Sequence, residues 1–412
     1  MNYCLLLLTS LLVFFCSHSL AQVRTLDDFL QAGLTNSPLI KDLNNQVRMN
    51  SIDSLLIKAN RQPQIKFSGL MMYAPIIHDY GYSQAITNGG NLISVIQASQ
   101  TIFNNKTIEA QYRKVGLQNQ SLFNSTRITE KDLKKAITGQ YLTAYSVSNE
   151  MISMKTIVKS SHDEETILKQ MMEKGIYRQT DYLSFLVELQ SQELDLNDLE
   201  LKYKKELSGL KLLCGIKDTS SFQLSMPEIN YPLGKNDHSP FFLHFMIDSL
   251  SIQNEKTIID RNYKPSVNWL TDAGLVNNDP VVIYKNFGIS IGMSLTLPVY
   301  DGNQRKLNYQ KLKMSEETRK GYADFFRQQY DQQLQQLNEQ LRRTIDIIPK
   351  LKHQLEMAEV IVRQDKDLLN NGSITITDYM LALKNLMIFR KNLNQYQIDA
   401  LRIISEINYW EE

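Results

Sequence analysis

The sequence predicts a mainly helical chain that carries short membrane β-strands and is written twice. Three observations lead there. Residue patterns recur at a fixed offset of 197. Two segments, each more than sixty residues long, hold almost no Gly or Pro and step their apolar residues by three and four. Short stretches ahead of those segments alternate apolar and polar residues with period two.

Of 412 residues, 45 are Lys or Arg and 44 are Asp or Glu, a net charge of +1. That balance offers no basic field for nucleic acid. Residues 1–21 read as a signal peptide. Leu5–Leu8 and Leu11–Phe15 form its apolar stretch, and Ser19-Leu20-Ala21 sets a small-x-small cleavage site before Gln22. Bulky Phe15 ahead of Cys16 argues against lipidation. Cleavage leaves Cys214 alone, so no intrachain disulfide is expected. No later segment holds ~18 uninterrupted apolar residues, so any passage through a membrane must use β-strands.

The repeat organises the rest. Gly175 with Thr180-Asp181-Tyr182 matches Gly372 with Thr377-Asp378-Tyr379 at offset 197, and Tyr112 matches Tyr309 at the same offset. Upstream, Ser37-Pro38 matches Ser239-Pro240 and Pro63 matches Pro265 at offset 202. The difference falls between the strands of each half, where a surface loop varies freely. The first repeat is placed at 22–214, with strands near 64–75 and 91–103, a long helix over 104–173 and a returning helix over 179–214. A linker at 215–238 carries Gly215, Pro227, Pro232 and Gly234. The second repeat, 239–412, has strands near 265–276 and 286–299, a long helix over 303–370 and a returning helix over 376–409.

The strands read best in the second half. Ile289, Ile291, Met293, Leu295 and Leu297 alternate with Ser290, Gly292, Ser294 and Thr296. Val267, Trp269, Thr271, Ala273 and Leu275 alternate with Asn268, Asp272 and Gly274. Tyr73, Phe103, Trp269, Tyr284, Phe287 and Tyr300 lie near strand ends, as in an interfacial girdle. In the long helix, Leu334, Leu337, Leu341, Ile345 and Ile348 make a seam for another helix. At ~1.5 Å per residue the run spans roughly 100 Å, too long for a globular core. Pro349 predicts a bend.

Strand pair, long helix, tight turn and returning helix, written twice behind a signal peptide, resemble the TolC-like outer-membrane efflux family. Leu297-Pro298-Val299-Tyr300-Asp301-Gly302-Asn303 looks like that family's strand-to-helix junction. Gly372 with Thr377-Asp378-Tyr379 looks like its helix-tip turn, Gly175 with Thr180-Asp181-Tyr182 is the duplicate, and Leu26-Asp27-Asp28-Phe29 resembles its opening helix. The resemblance implies a homotrimer in which each copy gives four strands to one twelve-strand β-barrel and its helical hairpins to one α-barrel. It also implies a periplasmic adaptor and an inner-membrane RND, ABC or MFS transporter as partners, with no cofactor.

In that frame the helix tips are the periplasmic gate. Gly175 and Gly372 suit left-handed helix ends. Thr180 and Thr377 are expected to cap the returning helices, with Asp181 and Asp378 in the first turn. The resemblance supports Asp378 as a constriction residue, repeated around a three-fold axis. Where the family can carry a second acid three residues on, this chain has Leu381, and an Arg used in some members is replaced by Ile374. Ile176, Tyr177, Ile374 and Ile376 are candidate adaptor contacts, or packing between neighbouring hairpins. Nothing points to catalysis. His238 and His244 are the only close His pair and complete no metal set, and no phosphate loop or nucleophile elbow is present. The rival reading is a periplasmic coiled-coil scaffold or adaptor with soluble hairpins.

Overall fold

The computed structural model describes residues 23–83, 89–102, 105–218, 220, 222–232, 239–279 and 282–411. The expected signal peptide lies outside the described residues, as do Phe103, Gly234 and His238. In chain order the elements are α1 (Leu26–Asn36), α2 (Pro38–Ala59), β1 (Gln64–Ala74), β2 (Gly89–Ile102), α3 (Asn105–Glu173) and α4 (Gln179–Leu213). The second half follows with α5 (Pro240–Asn262), β3 (Ser266–Asn277), β4 (Phe287–Thr296), α6 (Gln304–Asn370) and α7 (Ile376–Glu411). Pro349 sits inside α6 without ending it. No described helix is long and apolar enough to cross a membrane.

The chain forms two compact units, and each takes segments from both halves of the repeat. One comprises residues up to Ile40 together with Ile128–Ser239 and Arg327–Glu412. α1 opens it on a capping box, with the Thr25 amide donating to Asp28 Oδ2 at 2.9 Å and the Asp28 amide donating to Thr25 Oγ1 at 3.4 Å. Phe29 of α1 then enters a core with Ile137, Tyr141, Tyr203, Leu210 and Phe222. The segment after α4 is part of this core. Leu224 forms a parallel bridge with Arg24, and the Tyr141 phenol donates to the carbonyls of Arg24 (3.1 Å) and Ser225 (2.7 Å). These bonds satisfy backbone groups that irregular chain would otherwise bury unpaired. Cys214 is buried here, and burial pushes its thiol up to about 11.

The other unit comprises Lys41–Arg127 and Pro240–Phe326. Its helical part packs α5 against the opening stretches of α3 and α6. Asn254 Nδ2 donates to the Ala110 carbonyl at 2.9 Å, and Asn124 Nδ2 to the Pro240 carbonyl at 2.8 Å. Phe326 meets Phe242 edge to face and Phe241 and Phe245 at a tilt. The same unit holds one antiparallel sheet in the order β1-β2-β3-β4. Chain order equals sheet order, so β1 and β4 are its two edges.

Candidate functional site

The sheet register assigns every strand residue to one of two faces. Trp269 opposes Met293 and Gln100, and Ile96 opposes Phe67 and Ala273. One face therefore carries Ile65, Phe67, Met71 and Tyr73 on β1 and Phe287, Ile289, Ile291, Met293 and Leu295 on β4, all at least 65% exposed. This is the greasy face read from the alternation. Trp269 Nε1 donates to Gln100 Oε1 at 2.9 Å on it, so the ring's polar end is satisfied.

The other face is polar only in part. Lys66, Gln97, Asp272 and Ser290 stand in one cross-strand row, and Ser290 donates to Asp272 at 2.5 Å. Asn268 opposes Ser294, and Ser266 opposes Thr296. Nearer the hairpin loops this face turns apolar, with Leu70 opposite Ile93, Ile93 opposite Val276, and Val95 buried. The sequence predicts a small polar face on the strands of the second half and a less clean pattern on those of the first. The apolar stretch on this face includes Val276 of β3, and on β1 and β2 both faces hold apolar residues there, which blurs their period-two pattern.

At the strand-to-helix junction Asp301 caps α6. Its carboxylate accepts the Asn303 amide at 2.9 Å and the Arg305 amide at 2.8 Å, and these bonds hold it below the usual carboxylate range. Gly302 and Asn303 take left-handed φ values of 62° and 67°, which turn the chain into the helix. Pro298 and Tyr300 flank this turn, with Tyr300 strongly exposed. Sequence reasoning missed the brace beside it. Arg305 pairs with Asp260 of α5 at 2.5 Å, and the Tyr309 phenol donates to the same carboxylate. The Tyr309 bond and then Arg305 hold Asp260 low. Arg305 and Tyr309, one helical turn apart, were the available signal.

The two helix tips use one backbone device. Gly175 takes φ +77°, with its amide donating to the Met172 carbonyl and the Ile176 amide to that of Met171, at 2.9 and 3.0 Å. Gly372 takes φ +71°, with its amide donating to Leu369 and the Ser373 amide to Leu368, at 3.0 and 2.8 Å. Both are Schellman turns, which need a residue without Cβ at the left-handed position.

The caps differ from expectation. α7 starts at Ile376, so its cap is Thr375 and Thr377 lies inside the first turn. The Thr375 amide donates to Asp378 Oδ2 at 3.3 Å, its hydroxyl donates to the same oxygen at 2.7 Å, and the Asp378 amide donates back to Thr375 Oγ1 at 3.2 Å. At the first tip the capping residue is Arg178, which makes no side-chain cap bond, and Thr180 lies inside α4. A threonine caps only from the position just outside the helix, where its oxygen reaches the third amide. Both predicted threonines sit two residues too late.

Of the four apolar tip residues, Ile376 is buried, and Tyr177 and Ile374 are half-buried against one core with Leu168, Phe185, Leu369 and Tyr379. Ile176 is 50% exposed and Leu381 is 59% exposed. Asp378 is exposed and Asp181 half-buried. Tyr177, on the first hairpin, donates its phenol to the carbonyls of Leu369 (2.7 Å) and Ile374 (3.1 Å) on the second. Fully buried Glu164 pairs with Lys366 Nζ at 2.5 Å, joining α3 to α6. Burial, and then the charges of Glu164 and Asp365, push the Tyr379 phenol up. Among the described residues no three His, Cys, Asp or Glu are grouped to hold a metal.

The sequence matches no protein-family model and no curated protein. Its structure matches solved ones along nearly its whole length. The VceC outer-membrane protein of Vibrio cholerae is 12% identical, with a TM-score of 0.76 over 94% of this chain and 96% of that one. The CmeC outer-membrane channel of Campylobacter jejuni is 13% identical, with a TM-score of 0.75 over 93% and 85%. The open MtrE outer-membrane channel of Neisseria gonorrhoeae is 10% identical, with a TM-score of 0.71 over 93% and 88%. The fold of this chain is that of the TolC-like outer-membrane channels.

Proposed function

We propose that the chain is the outer-membrane channel subunit of a tripartite efflux or type I secretion system. Three copies join their sheets edge to edge into one twelve-strand barrel, and their helical hairpins form a periplasmic α-barrel. One observation carries this reading: a sheet that is greasy on one face ends in two unpaired edges, β1 and β4. Four strands cannot cross lipid that way, because edge N–H and C=O groups have no partner in hydrocarbon. Closure with further copies removes both edges and turns the apolar face outward to lipid. The polar row of Lys66, Gln97, Asp272 and Ser290 then lines a wet lumen.

Substrates enter from an inner-membrane RND, ABC or MFS transporter through a periplasmic adaptor. At the tips, Asp378 retains an exposed carboxylate while it caps α7, so three copies supply an acidic ring that favours cations. Ile176, the exposed member of the apolar tip set, is the adaptor contact best supported by its exposure. The scaffold reading has no use for a sheet with an exposed apolar face.

The test is extraction and conductance. The full chain should need detergent to leave the membrane, run as a heat-resistant trimer, and open a conductance in planar bilayers. A water-soluble single subunit that gives no conductance overturns the channel.

A further inference from the structure

The two ends of the sheet differ in charge. All four strands meet helices at one end, because β1 and β3 start there and β2 and β4 finish there. The two hairpin loops lie at the other. The strand-to-helix connections, each counted with the nearest four residues of its helix, carry seven Lys or Arg and two Asp, a net charge of +5. The hairpin loops, residues 75–88 and 278–286, carry one Lys and two Asp, a net charge of −1 with His neutral. The whole chain is only +1, so the basic end is a local concentration.

Helix ends do not account for these cations. Lys58 and Arg261 lie in the last turns of α2 and α5, where the negative helix end favours them. Lys106, Arg305 and Lys306 lie in first turns, where the helix dipole disfavours positive charge. Arg61 and Lys264 lie in the connections themselves. Nor do the nearby acids neutralise the group. Asp260 is taken by Arg305 and Tyr309, and Asp301 by the Asn303 and Arg305 amides. Lys58, Arg61, Lys264 and Lys306 are exposed and make no ion pair among the described residues. The same end offers apolar surface. Val299 is 92% exposed and Tyr300 85%, and Ile65 and Phe67 open the greasy face of β1. A ligand that suits both is an amphiphile with a negative headgroup.

We infer that the helix end of the sheet is a basic collar for the phosphate groups of anionic phospholipids, in the leaflet from which the helices hang. Lys58, Arg61, Lys264 and Lys306 meet the headgroups, and the apolar residues beside them meet the acyl chains. Strands of this length cross one hydrocarbon layer when tilted, which sets the collar at headgroup depth. It rests on the channel reading, and it adds the lipid that the junctions select.

The test reads the lipid beside Trp269, which lies near the collar end of β3 on the greasy face. Trp410→Phe leaves it the only tryptophan. The full chain goes into vesicles of phosphatidylcholine and phosphatidylglycerol, with one lipid or the other carrying brominated chains that quench indole fluorescence. Phosphatidylglycerol should be enriched beside Trp269 by about fivefold, the ratio expected of one Lys or Arg at an anionic surface. High salt should shrink the enrichment. The combined variant Lys58→Gln, Arg61→Gln, Lys264→Gln and Lys306→Gln should abolish it, and Lys285→Gln at the loop end should leave it unchanged. Equal quenching by the two lipids in a conducting trimer overturns the collar and leaves the channel reading standing. So does an enrichment that survives the combined variant, or one lost on Lys285→Gln alone. A soluble, non-conducting single subunit overturns both.

Discussion

The two halves of the chain build the same turn and secure it differently. At the second tip the returning helix is capped by Thr375 and Asp378, and the Tyr177 phenol of the first hairpin holds two carbonyls of the second. At the first tip Arg178 makes no side-chain cap, and a Cβ added to Gly175 would meet nothing within 4 Å. A Cβ on Gly372 would lie 2.9 Å from Ile176 Cγ2. The strand-to-helix junctions repeat the contrast. The second is braced by Asp260, Arg305 and Tyr309. At the offsets of the repeat, the first half has Lys58, Ile108 and Tyr112 in those places, with no such ion pair. Among the described residues the tip turns keep one backbone geometry, while the threonine–aspartate cap and the Asp260 brace belong to the second copy.

Four experiments would break or sharpen this contrast. The largest effect is expected from alanine at the tip glycines. Gly175→Ala pays only left-handed strain, about 1–2 kcal/mol. Gly372→Ala adds overpacking against Ile176, for a total of about 3 kcal/mol. Hydrogen exchange at each turn reads the difference, and equal losses would end the asymmetry.

Next comes Tyr177→Phe, which removes the phenol from the Ile374 carbonyl and leaves the Leu369 carbonyl only the Gly372 amide, and should loosen the second tip by about 1 kcal/mol. Exchange should quicken over residues 373–378 and stay unchanged in the turn at Gly175. The reverse pattern would show that Tyr177 serves its own hairpin.

Cap exchange is no larger and works in both directions. Thr375→Ala should cost about 1 kcal/mol. Arg178→Thr should gain about 0.5 kcal/mol, because Asp181 already stands where a capping box needs its acid. Failure of Arg178→Thr to slow exchange in the first turn of α4 would mean that more than the cap residue separates the tips.

The smallest effect is a pH dependence at the second junction. Asp260 and Asp301 are held below the usual carboxylate range by their hydrogen bonds and by Arg305. Their contribution is full above the unfolded carboxylate value of about 4. It fades as pH falls through the lower folded values. Acidification below about pH 4 should therefore speed exchange around Asp301–Tyr309 before it affects Asn105–Tyr112. Simultaneous loosening would assign the sensitivity to something both junctions share.

Much of this was legible in the sequence because it is carried by short-range patterns. Period two located β3 and β4 within a few residues, and runs poor in Gly and Pro located α3 and α6. The glycines at 175 and 372 marked the turns because only a residue without Cβ takes that backbone at no cost. The capping residue was missed because Thr375 and Thr377 both precede Asp378 closely, and only the true start of the helix decides between them. The reach of Tyr177 to the second hairpin and the pairing of Glu164 with Lys366 were invisible. They join residues about two hundred positions apart, and spacing along one helix says nothing about which side chain a neighbouring helix presents.

The unlike edges of the sheet have a genetic consequence. In the closed ring proposed above, every copy must offer a sound β1 and a sound β4. A copy with a proline placed in β4 still presents β1, so it can occupy a neighbour's edge and block further addition. Made alongside the normal chain, such a variant would act as a dominant poison. On the proposed three-copy ring, intact barrels would fall with the cube of the sound fraction, far more steeply than gene dosage alone.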